Sequence, residues 1–165
     1  MPRRLLRDGQ VVEDDWLILG DAGTGADIGT DAPLIVPFEQ WQADRARWLE
    51  RPGRLGVILA PADPVESLIP DLSRFALLGA EFPNPSEGRG YTQGRLLRER
   101  WHFGGELRAR GYVRRDHLFL LARCGFNSFE LPDGEIDEAR SALFTFSAAY
   151  QPSNDAGLLA PLAHR

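Results

Sequence analysis

From residue 54 onward, apolar runs of strand length alternate with amphipathic stretches of helical period, and this alternation restricts the fold more than any other feature of the chain. Residues 55–60 read as an apolar strand, 64–75 as a helix opening on Asp63, 76–82 as a second strand and 91–102 as a second helix. The rhythm continues with a strand at 106–110, a helix at 114–124 stopped by Gly125, a strand at 126–131 and a helix at 135–150. Such alternation predicts parallel βαβ units. The expected fold class is therefore α/β, with four successive βα units. Right-handed crossovers can arrange four units as half of a TIM barrel or as a small open flavodoxin-like parallel sheet. The half-barrel is favoured because the strands follow one another without reversal, and either arrangement presents ligands to the carboxyl ends of the strands.

The segment before this repeat is expected to pack on it as an N-terminal cap, residues 1–53. Residues 11–19 suggest a turn into a short strand, 20–33 a loop rich in Gly, Asp and Thr, and Pro37 the start of a helix carrying Phe38, Trp41 and Trp48. Arg51-Pro52-Gly53 ends that helix, residues 54–150 form the βα domain, and 151–165 read as a disordered tail.

The single Cys124 excludes an internal disulfide or a multi-cysteine cluster held by this chain alone, which favours a reducing cytoplasm. Met1-Pro-Arg-Arg-Leu-Leu-Arg lacks a hydrophobic signal core and no run reaches membrane-spanning length, so neither export nor a membrane is expected. His102, His117 and His164 are too scattered for a metal site, and none is expected. The turn Ala60-Pro61-Ala62-Asp63-Pro64 has no glycine, so no nicotinamide or flavin cofactor is expected either. Net negative charge without basic–aromatic interleaving argues against nucleic acid. Two open edges of a four-stranded sheet predict a homodimer.

Charge is unevenly spread. Between Glu87 and Arg123 nine arginines face four carboxylates, a local +5 in a chain whose formal total is −5, and all nineteen cationic residues are Arg. Arg favours bidentate recognition of carboxylate, sulfate or phosphate. The loop Gly88-Arg89-Gly90-Tyr91, opening a helix that continues to Arg95, offers N–H donors and charge to an oxyanion. Period two along 105–110 puts Glu106, Arg108 and Arg110 on one strand face, and Glu81 and Glu130 occupy matching positions on neighbouring strands. The expected ligand set is Gly88, Arg89, Gly90, Tyr91, Arg95, Arg108 and Arg110, with Glu81 or Glu130 as an acid or base. The alternative is a self-satisfied network of Glu81, Arg108 and Glu130 inside a small barrel.

Several of these segments also carry a resemblance. Phe82-Pro83, Gly88-Arg89-Gly90-Tyr91-Thr92, Arg95-Leu96-Leu97-Arg98, Gly105-Glu106-Leu107-Arg108-Ala109, Val113-Arg114-Arg115-Asp116 and Arg123-Cys124-Gly125-Phe126 resemble the bacterial family known as domain of unknown function 934. The resemblance implies a protein encoded beside sulfite reductase and the phosphoadenylyl-sulfate reductase of cysteine biosynthesis; some members carry the label "probable oxidoreductase". It implies an accessory protein of sulfite reduction whose partner is the reductase or its electron donor, docked through Arg95, Arg98 and Arg100. The other expectation is a small enzyme or carrier acting on a sulfur oxyanion or another anionic metabolite. The chain departs from the family pattern at Glu87, Gly94, Tyr112, His117 and Asn127, and Tyr112, where an Asp is usual, removes one acid from any shared mechanism.

Overall fold

The computed structural model describes residues 2–21 and 28–147. Eight strands form one mixed sheet: β1 (Arg4–Arg7), β2 (Gln10–Glu13), β3 (Leu17–Ile18), β4 (Leu34–Pro37), β5 (Leu55–Leu59), β6 (Phe75–Phe82), β7 (Glu106–Gly111) and β8 (Ser128–Phe129). Their order is β2-β1-β8-β7-β6-β5-β4-β3. Strands β3 to β8 are parallel, while β1 runs antiparallel to both β8 and β2. Because β3 to β8 neighbour one another in sequence order, with none of the reversal a flavodoxin-like sheet requires, the architecture is that of a half-barrel.

The sheet is forced to curl by its shortest connection. Strands β2 and β3 lie at opposite ends of the order, yet only Asp14, Asp15 and Trp16 separate them. Four Cα–Cα steps span at most about 15 Å, whereas seven strand spacings in a flat sheet need about 33 Å. The two ends must therefore bend toward each other, and the three linking residues cross the concave side.

The segment before residue 54 is thus built into the sheet. It supplies a hairpin at one end and, at the other, a fifth βα unit in which β4 leads into α1 (Phe38–Ala43) and α2 (Arg45–Leu49). The sequence predicts the helix from Pro37 but assigns no element to Leu34-Ile35-Val36, a short run between prolines. The next two crossovers depart from the regular α-helix expected of them. After β5 the chain makes 3-10 turns over Val65–Arg74, with Pro70 inside them. After β6 comes α3 (Arg89–Arg95), which widens into a π-helical turn at Leu96–Arg100. Then α4 (Leu118–Arg123) and α5 (Ile136–Ser147) follow β7 and β8. The expected tail, residues 151–165, lies outside the described residues. None of the described helices is long and apolar enough to cross a membrane.

Strand alternation divides the core. Leu55, Val57 and Leu59 of β5, with Leu78, Ala80 and Phe82 of β6 and Leu107 and Ala109 of β7, pack outward against the helices. Each Leu, Val or Phe among them contributes about 1.5–3 kcal/mol on burial, and the alanines less. The other face carries layers read directly from the register. Ile35, Gly56, Leu77 and Glu106 form one row; Pro37, Ile58, Gly79, Arg108 and Ser128 form the next. Gly79 is small for a reason: a Cβ there would sit 3.0 Å from Ile58 Cγ1. Trp16, Ile18, Ile35, Ile58 and Leu77 make a buried apolar cluster on the β3–β6 half of this face. The β7–β8–β1 half is ionic.

Candidate functional site

The ionic half is organised around Arg108, whose side chain is 0% exposed. Its guanidinium meets Asp14 at 3.0 Å, Glu106 at 2.8 Å and Glu130 at 3.2 Å. Asp14 comes from the three-residue crossing, so the link that curls the sheet also delivers a counter-charge. Arg3 reaches Asp14 at 3.2 Å and Glu130 at 3.5 Å, and Arg7 reaches Glu106 at 3.4 Å. Burial works against the Arg108 charge, but Glu106 and Asp14 more than offset it, and its pKa is raised. Removing such a residue would leave its carboxylates desolvated and unpaired.

One layer higher, at the carboxyl ends of the strands, Arg110 sits beside Asp21 at 3.1 Å, Glu130 at 3.4 Å and Glu81 at 4.0 Å. Here the strands open into a pocket of about 260 Å³ lined by Ile18, Pro37, Phe38, Glu39, Ile58, Ala60, Asp63, Glu81 and Arg110. Every parallel strand from β3 to β7 contributes to it. A larger cleft of about 500 Å³ lies at the opposite end, around Phe75, His102 and Gly105. Parallel sheets place their chemistry at the carboxyl ends, so the smaller pocket is the candidate site.

Glu81 is the lining carboxylate of that pocket whose proton affinity is shifted most clearly. Burial raises its pKa; Arg110 pulls the other way, and the negative charges of Glu130 and Asp21 add to the rise. It is therefore a carboxyl group prepared to hold a proton nearer neutrality than an ordinary glutamate. Gly111 makes room for it. With φ at +94°, it takes a conformation L-residues avoid, and a Cβ there would lie 2.4 Å from the Phe82 carbonyl oxygen and 2.8 Å from Glu81 Oε1. The opposite wall is the turn after β5, where Asp63 Oδ2 accepts the Ala60 N–H at 2.6 Å. Gln93 of α3 fixes that turn from behind, donating to the Ala60 and Asp63 carbonyls at 2.9 and 3.2 Å.

The seven expected ligand residues fall into different environments. Arg110 lines the pocket, and Arg108 lies beneath it under its carboxylates. At the start of α3 the anion position is taken by the chain itself: Arg89 donates through Nε and Nη2 to the Glu87 carboxylate at 2.8 and 2.9 Å, and through its backbone N–H at 3.1 Å. These bonds lower the Glu87 pKa to about 2. Gly90 and Tyr91 face the helix side, where a Cβ on Gly90 would strike Phe82 and the Tyr91 ring packs edge-on to Phe82 at 5.2 Å. Gly88 caps α3 in the right-handed region, and Arg95 reaches Glu99 at 3.2 Å and the buried Cys124 Sγ at 3.6 Å. Of the two candidate acids, Glu81 lines the pocket, while Glu130 is held by Arg3, Arg108 and Arg110. The self-satisfied network therefore exists, with Asp14 and Glu106 in the place reserved for Glu81.

Arg98 is spent as a clamp rather than offered for docking. It donates to the carbonyls of Gly125, Phe103 and Gly105 at 2.8, 2.6 and 2.8 Å and to Asn127 Oδ1 at 3.1 Å. The π-helical turn that carries it ends where Trp101 N–H bonds Leu96 O at 3.2 Å. Sequence reading missed Asp14, Asp21, Glu39 and Asp63. Asp63 alone had a usable signal, since it was already placed in the turn after the first strand of the repeat.

With Glu81 ionised, the pocket lining carries three carboxylates and one guanidinium, a formal charge of −2. Glu81 alone would repel an anion about 5 Å away by about 3 kcal/mol at an effective dielectric of about 20, and the Arg110 guanidinium offsets part of that. The geometry thus supplies a proton-holding carboxylate, apolar walls and a negative field.

Comparison with curated proteins finds no match. A family model described as bacterial protein of unknown function (DUF934) matches residues 56–158. The match takes in Asp63, Glu81, Arg108, Arg110 and Glu130, and leaves out the strands that bring Asp14 and Asp21. On that match, over more than half its length, the chain belongs to the DUF934 family of bacterial proteins.

Proposed function

We propose that the protein is an accessory component of assimilatory sulfite reduction and cysteine biosynthesis, acting through a small molecule held in the strand-end pocket. The association with sulfite reduction follows from the family resemblance. The observation that carries the site is the meeting of Glu81, Arg110 and Asp63 around a 260 Å³ pocket at the carboxyl ends of five parallel strands. Such a pocket can bind and orient a metabolite, and Arg110 is fixed in place by Asp21 and Glu130.

The test is growth. A host strain lacking the gene should grow poorly with sulfite as sole sulfur source and recover on cysteine. Wild-type protein should restore growth, Glu81→Gln should not, and the tagged wild type should co-purify with the reductase or its electron donor. A deletion strain that grows on sulfite like its parent overturns the reading.

A second reading, in which the chain itself turns over a small metabolite, is favoured by the raised pKa of Glu81, since a general acid or base works best near its operating pH. Turnover by the purified protein alone, lost in Glu81→Gln, would select it.

A further inference from the structure

We infer that the ligand of the strand-end pocket is a small organic cation, a primary or secondary ammonium on a short apolar body, and not a free sulfur oxyanion. The inference rests on the reading that this pocket is the functional site, and names the chemical class it accepts. Three features of the lining converge on it. The first is charge: Glu39, Asp63 and Glu81 face the cavity with Arg110 as their cationic counterpart. Arg110 is already engaged by Asp21 and Glu130 at 3.1 and 3.4 Å, nearer than its 4.0 Å approach to Glu81. The guanidinium is therefore neutralised from behind, and the carboxylates on the cavity side dominate the local field.

The second feature is shape. Ile18, Pro37, Phe38, Ile58 and Ala60 give the cavity an apolar wall, which a bare metal ion would leave unused. At about 260 Å³ the space lies just under the ~300–1,000 Å³ of pockets for drug-sized molecules, so the occupant is a small metabolite. The third is the half-buried state of Glu81. A carboxylate with its pKa raised by burial gains more from a cationic partner than one in open water, because the same desolvation strengthens the pair.

The experiment is ¹⁵N-resolved NMR titration of the full chain with n-butylammonium chloride, sodium butyrate and sodium sulfate at fixed ionic strength. Butylammonium is expected to produce saturable shifts at the amides of Ala60, Asp63, Glu81 and Gly111. Glu81→Gln should weaken that binding about tenfold or more, while Arg89→Ala, in the loop closed by Glu87, should leave it unchanged. If butyrate or sulfate saturates these amides and butylammonium does not, the pocket remains the site and the cationic class is wrong. If none of the three moves them, the pocket reading falls as well. Saturation by butylammonium that Glu81→Gln does not weaken overturns the role of the carboxylate.

Discussion

Arg108 and Arg110 stand two positions apart on the same face of β7, and each is surrounded by carboxylates. Depth separates them. Arg108 is fully buried among Asp14, Glu106 and Glu130, while Arg110 keeps 23% of its side chain exposed at the rim of the pocket. A buried guanidinium with three partners is a fixed part of the frame, since moving any member uncovers a charge in a medium that solvates it poorly. One rung higher the guanidinium is partly open to water, and Glu81 beside it holds its proton more tightly than usual because its own burial, with the charges of Glu130 and Asp21, outweighs the pull of Arg110. The same pair of residue types therefore serves architecture at one level and lines an open pocket at the next.

Substitutions can break this comparison. Arg108→Met should have the largest effect, because it leaves Asp14, Glu106 and Glu130 without their shared cation; a loss of about 3–5 kcal/mol is expected in urea unfolding. Arg110→Met should cost less, about 1–2 kcal/mol, because Asp21 and Glu81 can turn to solvent. Equal losses in the two variants would mean that depth does not govern the difference.

Glu81→Gln sharpens the comparison through pH. An acid whose pKa is higher in the folded chain than in the unfolded one costs stability above its folded pKa and nothing below its unfolded pKa. The Gln variant should therefore melt slightly higher than wild type at pH 8, with the gap closing as pH falls toward about 4, the ordinary glutamate value. A gap that widens on acidification would reverse the sign of the Glu81 environment. Arg89→Ala should have the smallest effect: its partner Glu87 is local and Arg89 is mostly exposed, so no shift in melting temperature is expected, as for most surface pairs.

The repeat itself was legible in the sequence because its signals are local. Alternating strand and helix periods placed β5 to β8 in order, and period two put Arg108 and Arg110 on the inner face. What escaped was long-range. Nothing around Asp14 announces that it neutralises a residue 94 positions away, and Leu34-Ile35-Val36 becomes a strand between β3 and β5, which pair with it from either side. The oxyanion loop was hard to read for the opposite reason. Gly88-Arg89-Gly90 does open a helix, but the glutamate next to it satisfies the same donors, and a motif cannot reveal that its own neighbour has filled it.

The three-residue crossing from β2 to β3 also dictates an order of events during synthesis. Arg3 and its bonding partner Glu130 are 127 positions apart, and β1 has no seat until β8 exists. At about 5–20 residues per second on the ribosome, the first hairpin waits roughly 6–25 s for the strand it must join. In that interval Arg108 is made, and its two nearest counter-charges differ in timing: Glu106 is made alongside it, whereas Asp14 lies 94 positions upstream. Seating β1 beside β8 is a docking step, in which an upstream segment is placed after the downstream strand it joins.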